Sequence, residues 1–193
     1  MRVLLASASP RRSSILREAG ISFGVVVAEV MEAPVASMPP SALVLHNAGL
    51  KAKHVAAGYP DSIVLGADTI VALRGMVFGK PATHAEARAM LGTLSGETHE
   101  VLTGVHLALP GNPDALSFVE RTRVRFHPID DAGIDRYLLR VNPLDKAGAY
   151  ALQEDGGELV AEISGCPLNV IGLPLPRILE KARTLGISLG AGA

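Results

Sequence analysis

The segment Ser62–Leu73, SIVLGADTIVAL, constrains the fold more than any other part of this sequence. Its aliphatic and β-branched residues follow one another almost without a break, which is typical of a strand buried on both faces. Arg74 and Gly75 then predict a turn, after which the chain returns as MVFGK. We therefore expect a long buried strand that is paired with a short returning strand.

The rest of the chain alternates between predicted strands and predicted helices. The further predicted strands cover residues 2–7, 23–30, 99–109, 115–126, 148–152 and 158–163. The predicted helices cover residues 10–20, 41–57, 83–94, 130–140 and 174–185. Because two hairpins accompany the alternation, the sequence predicts an α/β fold with a mixed sheet and flanking helices. No repeat or linker interrupts the pattern, so we expect a single domain over residues 1–193.

Composition and charge narrow the classes of partner. The chain is 48% hydrophobic, which is enough to bury a core, and its formal net charge is −1. A chain this close to neutral has no overall field that would attract nucleic acid or an anionic membrane. No apolar stretch is long enough to span a bilayer or to act as a signal peptide, and Cys166 has no partner for an internal disulfide. We expect a cytoplasmic protein that binds neither nucleic acid nor membranes.

The common phosphate and metal motifs are missing from the sequence. It contains no G-x-x-x-x-G-K-[ST] loop and no G-x-G-x-x-G turn after a strand. No group of His and Cys residues has zinc-site spacing, and Cys166 has no evident base partner that would make it a nucleophile. An anion site must therefore be built in some other way.

The N-terminal stretch LASASPRR, residues 5–12, is the first candidate for such a site. Ser9 and Pro10 are typical of a helix N-cap and first turn, and a helix N-terminus attracts anions. Arg11 and Arg12 oppose the helix dipole at this position, which makes sense where a phosphate lies between them. The alternative is that both arginines are solvated or pair with carboxylates, and the stretch alone does not decide between the two.

Polar residues after other predicted elements are further candidates. Asp68 follows IVLGA at what we expect to be the end of a buried strand, where ligands collect in α/β sheets. Such a carboxylate binds Mg²⁺ or deprotonates water, or simply bonds to a turn. Glu32 is a second oxygen ligand or a solvated acid, and Lys51 and Lys80 either face a cleft or are solvated. Gln153 either reads a base edge or bonds to a turn.

Taken together, these stretches resemble the Maf family of nucleoside triphosphate pyrophosphatases. The resemblance runs nearly end to end and includes Glu32, Lys51 and the segments LASASPRR (5–12), LGADTIV (65–71), GKP (79–81), LSGETHEV (94–101), PLDKAGAYALQ (143–153) and NVIGLPL (169–175). It implies a mixed, curved sheet with flanking helices and two lobes around a cleft, as in inosine triphosphatases. It also implies hydrolysis between the α- and β-phosphates of a nucleoside triphosphate, a divalent cation (Mg²⁺ or Mn²⁺) and a homodimer.

The resemblance also implies roles for individual residues. Asp68 would accept the proton of the attacking water and would share the metal with Glu32. Phosphate contacts would come from Ser7, Arg11, Arg12, Lys51 and Lys80. Base choice would depend on Arg11, Thr69 and Gln153. This combination is similar to that of the dTTP/UTP branch of the family. The 7-methyl-GTP branch differs, because it carries other residues at these positions, including an acid at the last one.

Two departures from the family pattern accompany the match. His46 stands where we expect an arginine, with Asn47 and Leu50 as unusual neighbours of Lys51, and Cys166 stands where we expect a small hydroxyl residue. We expect neither departure to touch the catalytic set. Two other functions stay open: a nucleotidyltransferase, which needs an acceptor other than water, and a nucleotide-binding regulator of cell division and septum formation.

Overall fold

A computed structural model describes residues 1–35, 37–154 and 156–190 of the chain. Within these residues, seven strands form one sheet. They are β1 (Arg2–Leu5), β2 (Gly24–Val25), β3 (Ser62–Leu73), β4 (Met76–Phe78), β5 (Thr98–Leu109), β6 (Asn112–Phe126) and β7 (Val160–Ser164). The helices are α1 (Pro10–Glu18), α2 (Pro40–Gly58), α3 (His84–Leu94), α4 (Asp131–Arg140), α5 (Gly156–Leu159), α6 (Pro167–Ile171) and α7 (Leu175–Thr184), with a 3₁₀ turn at Ala147–Ala149.

The sheet is mixed, as the sequence predicted. Its strand order is β2-β1-β3-β5-β6-β7, with β4 paired to the far half of β3. Strand β1 pairs in parallel with both β2 and β3, and Leu4 lies opposite Val64 in the latter ladder. The pairs β3–β4 and β6–β7 are antiparallel. The α/β fold class with flanking helices is therefore confirmed.

Most predicted helices begin and end within two residues of their expected positions, and three of them have a side-chain cap. The Ser9 hydroxyl caps α1 by accepting from the Arg12 backbone N–H, and Thr83 caps α3 in the same way. The Asp130 carboxylate accepts from the Gly133 N–H at 2.8 Å and starts α4. The short helices α5 and α6 were not predicted. No helix in the described residues is long and apolar enough to cross a membrane.

Two glycines allow α2 to approach the sheet closely. A Cβ atom at Gly66 of β3 would lie 2.3 Å from the Ala48 carbonyl oxygen, and one at Gly104 of β5 would lie 2.2 Å from that of Val44. Any side chain at these positions would collide with the helix backbone. The glycines therefore set the distance at which α2 packs, and Gly66 does so two residues before Asp68.

The chain divides into two compact units, which we describe separately. The first contains Met1–Asp68, Thr103–Glu120 and Gly172–Ala193, and the second contains Thr69–Leu102 and Arg121–Ile171. A core cluster in the first unit packs α2 residues such as Ala52 and Val55 against Leu4 and Val64 of the strands. The larger core of the second unit includes Leu91, Phe126, Tyr137 and Tyr150. The expectation of a single domain stays a prediction.

The strand predicted over residues 23–30 is wrong in its length, because only Gly24–Val25 is assigned as strand. Strand β2 lies at the edge of the sheet, where its neighbour is β1, and β1 ends at Leu5. One further bond, from the Val26 N–H to the Leu5 carbonyl, ends the pairing. Even where its sequence is apolar, a strand does not continue beyond the end of the strand with which it pairs. Glu32 consequently lies in a loop well beyond the strand.

The strand predicted over residues 148–152 is also wrong. Gly148 and Ala149 both adopt the left-handed conformation, with φ of 70° and 65°, which bends the chain out of an extended path. A Cβ atom at Gly148 would lie 2.9 Å from Cγ2 of Val71, so the bend also presses the backbone against β3. The strand predicted over residues 158–163 is present as β7, but it begins at Val160 after the short helix α5.

Candidate active site around Asp68

Asp68 lies inside β3 and not at its end, because the strand continues to Leu73. The side chain is buried, with the residue 8% exposed, and helix α2 supplies two partners for its carboxylate. The Lys51 ammonium donates to Oδ1 at 2.7 Å, and the Asn47 amide donates from Nδ2 to Oδ2 at 3.2 Å. Asn47 and Lys51 are four residues apart, so they share one face of the helix. Each oxygen of the buried carboxylate therefore has a donor.

Lys51 joins a second carboxylate to this group. Its Nζ atom lies 2.9 Å from Oε1 of Glu32 as well as 2.7 Å from Oδ1 of Asp68. The Glu32 side chain is half exposed, whereas those of Lys51 and Asp68 are nearly buried. The ammonium thus lies between two acids, one on a strand and one in a loop, which shows that both can face a single cation. The structure brings together three of the predicted site residues here.

Asn47 is the site residue that sequence reasoning missed. Its Oδ1 atom accepts from the Ala33 backbone N–H at 2.9 Å, next to Glu32, while its Nδ2 atom donates to Asp68. We noted Asn47 only as a departure from the family pattern and expected it not to touch the catalytic set. That expectation is wrong for Asn47. The signal was present in the sequence, because residues 47 and 51 share a helix face.

Arg12 is buried and holds three segments of the first unit together. Its Nε atom donates to the Gly172 carbonyl at 2.8 Å, and its Nη1 atom donates to the Ala67 carbonyl at 2.9 Å and to Oγ of Ser7 at 3.0 Å. Ala67 directly precedes Asp68, so the guanidinium lies close to the carboxylate. Much of the donor capacity of Arg12 is therefore spent on fixing the backbone around the site.

Burial also lowers the pKa of the Arg12 guanidinium from its ordinary value. The Asp68 carboxylate raises that pKa and so offsets part of the effect, whereas Arg11 lowers it further. The two neighbouring arginines repel each other, and the acids beside them stabilise the charge. The opposing effects of Arg11 and Asp68 on the Arg12 pKa show that two positive side chains and a carboxylate lie close together at the start of α1.

Ser7 completes the turn between β1 and α1. Its Oγ atom accepts from the Ser9 N–H at 3.2 Å as well as from Arg12. A hydroxyl accepts two hydrogen bonds and donates one. Both acceptor positions of Ser7 are occupied by these two bonds, so its hydroxyl hydrogen is the group that can donate to a ligand. Arg11 is half-buried in the first turn of α1. This half of the predicted phosphate site therefore combines a helix N-terminus with Ser7 and two arginines.

The other predicted residues belong to the second unit. Thr69 is half-buried on β3, Lys80 is exposed between β4 and the buried Pro81, and Gln153 is exposed in a turn. The Gly148 N–H donates to the Gly79 carbonyl at 3.0 Å, which ties the segment before Lys80 to the bend before Gln153. The roles that we expect for these three residues stay predictions.

A buried lysine supports the turn that carries Gln153. Lys146 donates to the Asn142 carbonyl and to Oδ1 of Asp145, both at 2.8 Å. It also lies 3.1 Å from Oε2 of Glu154. An ammonium group has three donors, and these three oxygens match them. The segment that ends in Gln153 is therefore held by a charged residue that sequence reasoning did not single out.

His99 and Tyr150 form a polar pair inside the core of the second unit. The Nε2 atom of His99 lies 2.9 Å from the Tyr150 hydroxyl, and Phe126 packs edge-on against both rings. His99 is 1% exposed, and its Nδ1 atom has no hydrogen-bond partner among the residues that the structure describes. Burial lowers the pKa of His99 to about 4 and raises that of Tyr150. Both rings are therefore neutral at ordinary pH.

Comparison with known proteins gives the family. The family model described as Maf-like protein matches residues 2–185. The chain belongs to the Maf family. It is 47% identical over 191 residues to a protein of Symbiobacterium thermophilum, covering 99% of this chain and 97% of that protein. It is 44% identical to one of Akkermansia muciniphila over 95% of this chain and 96% of that one. Both relatives are named dTTP/UTP pyrophosphatase.

A further Maf relative and one solved structure complete the comparison. A Bacillus cereus protein with the same name, dTTP/UTP pyrophosphatase, is 43% identical over 97% of this chain and 92% of its own length. The structure of a HAM1 protein from Coxiella burnetii is 16% identical and aligns with a TM-score of 0.45 over 65% of this chain and 73% of that chain. Similarity at that level carries no conclusion about this Maf chain.

The carboxylates of Glu32 and Asp68 in this Maf protein are oxygen ligands of the type that hard divalent cations prefer. Among residues 1–35, 37–154 and 156–190, no three His, Cys, Asp or Glu residues are grouped so that they could hold a metal ion. Glu32 and Asp68 nevertheless face one cation, the Lys51 ammonium. Mg²⁺ is commonly held by one or two carboxylates together with substrate phosphates and water. The carboxylate pair suits that kind of binding.

Proposed function

We propose that the chain is a nucleoside triphosphate pyrophosphatase that hydrolyses the α–β phosphoanhydride of dTTP and UTP, with modified nucleotides as further substrates. The products are the nucleoside monophosphate and pyrophosphate. The relatives that are 43–47% identical over nearly the whole chain carry that name, which supports the substrate class. The observation that carries the chemistry is Asp68, a buried carboxylate that accepts from Lys51 and Asn47.

Asp68 is the proposed general base. A carboxylate oxygen accepts about two hydrogen bonds, so each oxygen of Asp68 keeps one acceptor position after its bond to Lys51 or Asn47. A water molecule bound there gives its proton to Asp68 as its oxygen bonds to phosphorus at the α–β bridge. The bridging P–O bond breaks, and its electron pair stays on the bridging oxygen, which leaves with pyrophosphate when the α-phosphorus is attacked and with the monophosphate when the β-phosphorus is attacked. The attacking oxygen comes from water and not from a second substrate, so the reaction is a hydrolysis and not a nucleotidyl transfer.

Positive groups of the first unit are the proposed phosphate contacts. A triphosphate carries roughly four negative charges, and catalysis of phosphoryl chemistry depends on stabilising charge that moves to the leaving group. We propose that Arg11 and the Ser7 hydroxyl hydrogen bind phosphate oxygens beside the positive end of the α1 dipole. Lys51 turns from Glu32 to a phosphate when the nucleotide binds. Arg12 contributes charge while its guanidinium holds the backbone beside Asp68.

A divalent cation, Mg²⁺ or Mn²⁺, is the proposed cofactor. Glu32 and Asp68 would hold it together with the phosphates of the nucleotide, because both carboxylates already face a common cation position. When bound, such an ion offsets the charge of the phosphates. The protein itself supplies the base, the ammonium group and the orientation of both acids.

Base choice is proposed to depend on Arg11, Thr69 and Gln153, and Lys80 is proposed as a further phosphate contact. The amide of Gln153 has a donor end and an acceptor end. Uracil and thymine present an N3–H donor beside carbonyl acceptors, so one amide can match two neighbouring atoms. The exposed position of Gln153 makes its amide accessible to a ligand. A cytoplasmic location and a homodimer are part of the same proposal.

The proposal is tested with a panel of nucleoside triphosphates in the presence of Mg²⁺. The assay measures both pyrophosphate and the monophosphate. We expect equimolar pyrophosphate and monophosphate, with dTTP and UTP turned over fastest and without any second substrate. Release of orthophosphate instead would contradict the assigned bond. Pyrophosphate release that requires an added acceptor would indicate a nucleotidyltransferase, and binding without turnover would indicate a regulator.

A further inference from the structure

Asn47 is almost completely buried, and both ends of its amide are used. The residue is 3% exposed. Its Oδ1 atom accepts from the Ala33 N–H at 2.9 Å, and its Nδ2 atom donates to Oδ2 of Asp68 at 3.2 Å. Buried polar groups are costly when they lack partners, so a side chain here must satisfy a donor on one side and an acceptor on the other.

The chemistry of the two partners fixes the orientation of the amide. If the amide were flipped, its NH₂ group would face the Ala33 N–H and its oxygen would face the Asp68 carboxylate. Both contacts would be repulsive. A leucine of similar size satisfies neither partner, and an aspartate accepts from Ala33 but has no hydrogen for Asp68. Among these three side chains, only asparagine joins the two segments.

Asn47 closes a ring of contacts around the proposed site. Asp68 is bonded to Lys51, Lys51 to Glu32, and Asn47 links the residue after Glu32 back to Asp68. The other link that the described residues show between the loop that carries Glu32 and Asp68 is the Lys51 ammonium, which contacts both acids. That ammonium is the group we expect to turn towards the phosphates, so the amide is the link that persists when substrate is bound.

We propose that Asn47 is a positioning residue for hydrolysis. Its amide orients the Asp68 carboxylate and holds the Glu32 loop so that both acids face one cation. This inference rests on the proposed function, because it assigns Asn47 to the reaction through Asp68. A displacement of about 1 Å at a reacting group lowers turnover on the order of 100-fold, so loss of this link reduces kcat more than it changes KM.

The test compares the full-length wild type with Asn47→Leu, Asn47→Asp and the control His54→Ala, which changes an exposed residue of the same helix. One measurement is kcat and KM for UTP with Mg²⁺. The other is hydrogen exchange of the Ala33 amide by NMR without nucleotide, a readout independent of turnover. Circular dichroism checks that each variant is folded, and if Asn47→Leu does not fold, Asn47→Asp decides the test.

We expect kcat to fall on the order of 10- to 100-fold in both Asn47 variants, with KM within about threefold of the wild type. The Ala33 amide should exchange faster in Asn47→Leu and stay protected in Asn47→Asp, which keeps the acceptor. His54→Ala should match the wild type. An active wild type whose kcat is unchanged in both Asn47 variants overturns this inference alone. A wild type that releases no pyrophosphate from any triphosphate overturns the proposed function as well.

Discussion

The ammonium group of Lys51 lies 2.7 Å from Oδ1 of Asp68, and this contact joins helix α2 to strand β3. Both side chains are nearly buried, so little water competes with the bond. The helix reaches this position because Gly66, two residues before Asp68, has no side chain to hold it off. The close approach of α2 to Gly66, together with that to Gly104, thus places the Lys51 ammonium beside the Asp68 carboxylate.

The Lys51–Asp68 contact predicts that Lys51→Met lowers both the stability of the protein and its turnover of UTP. A buried carboxylate that loses its cation is costly, so we expect stability to fall by about 3 kcal/mol or more. Turnover of UTP should fall on the order of 100-fold, since the proposed phosphate contact is lost as well. Lys53→Met is the matched control, because Lys53 is exposed and pairs with Asp114 at the surface. Equal effects of the two substitutions on kcat would contradict the role of Lys51.

The close approach of α2 predicts that Gly66→Ala is destabilising. The new Cβ atom would lie 2.3 Å from the Ala48 carbonyl oxygen, so the helix must move away from β3. Overpacking of this kind costs about 2 kcal/mol or more. Gly58→Ala, at the end of α2 where an added Cβ meets nothing within 4 Å, should be neutral or slightly stabilising. Urea denaturation of both variants measures the difference, and equal midpoints would refute the packing argument.

Buried His99 predicts a loss of stability in acid. Its pKa in the folded protein is about 4, below the value of 6.5 for an unperturbed histidine. The unfolded chain therefore binds the proton first as the pH falls from 6.5 to 4, and the free energy of unfolding decreases across that window by up to about 3 kcal/mol. Above pH 6.5, where His99 is neutral in both states, its contribution to the free energy of unfolding is constant.

His99→Gln removes this titration while it keeps a polar group near Tyr150. The free energy of unfolding of the variant should change less between pH 6.5 and 4 than that of the wild type. The difference between the two curves isolates His99 from the carboxylates, which titrate in both proteins. Parallel curves over this window would show that His99 is not the responsible group.

The proposed role of Gln153 predicts a change in base preference. Gln153→Glu replaces an amide that donates and accepts with a carboxylate that only accepts, which suits the N–H groups of guanine better than uracil. We expect kcat/KM to fall for UTP and to rise relative to it for 7-methyl-GTP. Gln153→Leu, which removes both functions without adding charge, should lower UTP turnover without a gain for 7-methyl-GTP. An unchanged ratio in Gln153→Glu would count against the assignment.

The sequence predicted the elements whose signals are local. The apolar run of β3 and the Ser9 cap of α1 each depend on neighbours within a few residues, and the structure confirms them. The length of β2 was predicted wrongly because it depends on where β1 ends. The bend at Gly148 was missed because an apolar pattern does not report a left-handed φ.

The site was predictable as a list of residues but not as a set of contacts. Asp68 stood out as a carboxylate within an apolar strand, whereas Glu32 and Lys51 received their roles from the resemblance to the Maf family. That Lys51 bridges the two acids depends on long-range packing, which no single stretch encodes. Asn47 was visible four residues before Lys51, but its partner at Ala33 lies in an irregular loop. Arg12 appeared as a phosphate ligand, whereas much of its donor capacity goes to backbone carbonyls.

The most direct test of the account is the rate of pyrophosphate release from UTP by the wild type and by Asp68→Asn, measured together with the affinity of each for UTP. An amide of nearly the same shape cannot take the proton of the attacking water. We predict that Asp68→Asn loses turnover on the order of 1,000-fold or more while it still binds UTP. A variant that binds UTP and hydrolyses it within about tenfold of the wild-type rate would contradict the claim that Asp68 is the base.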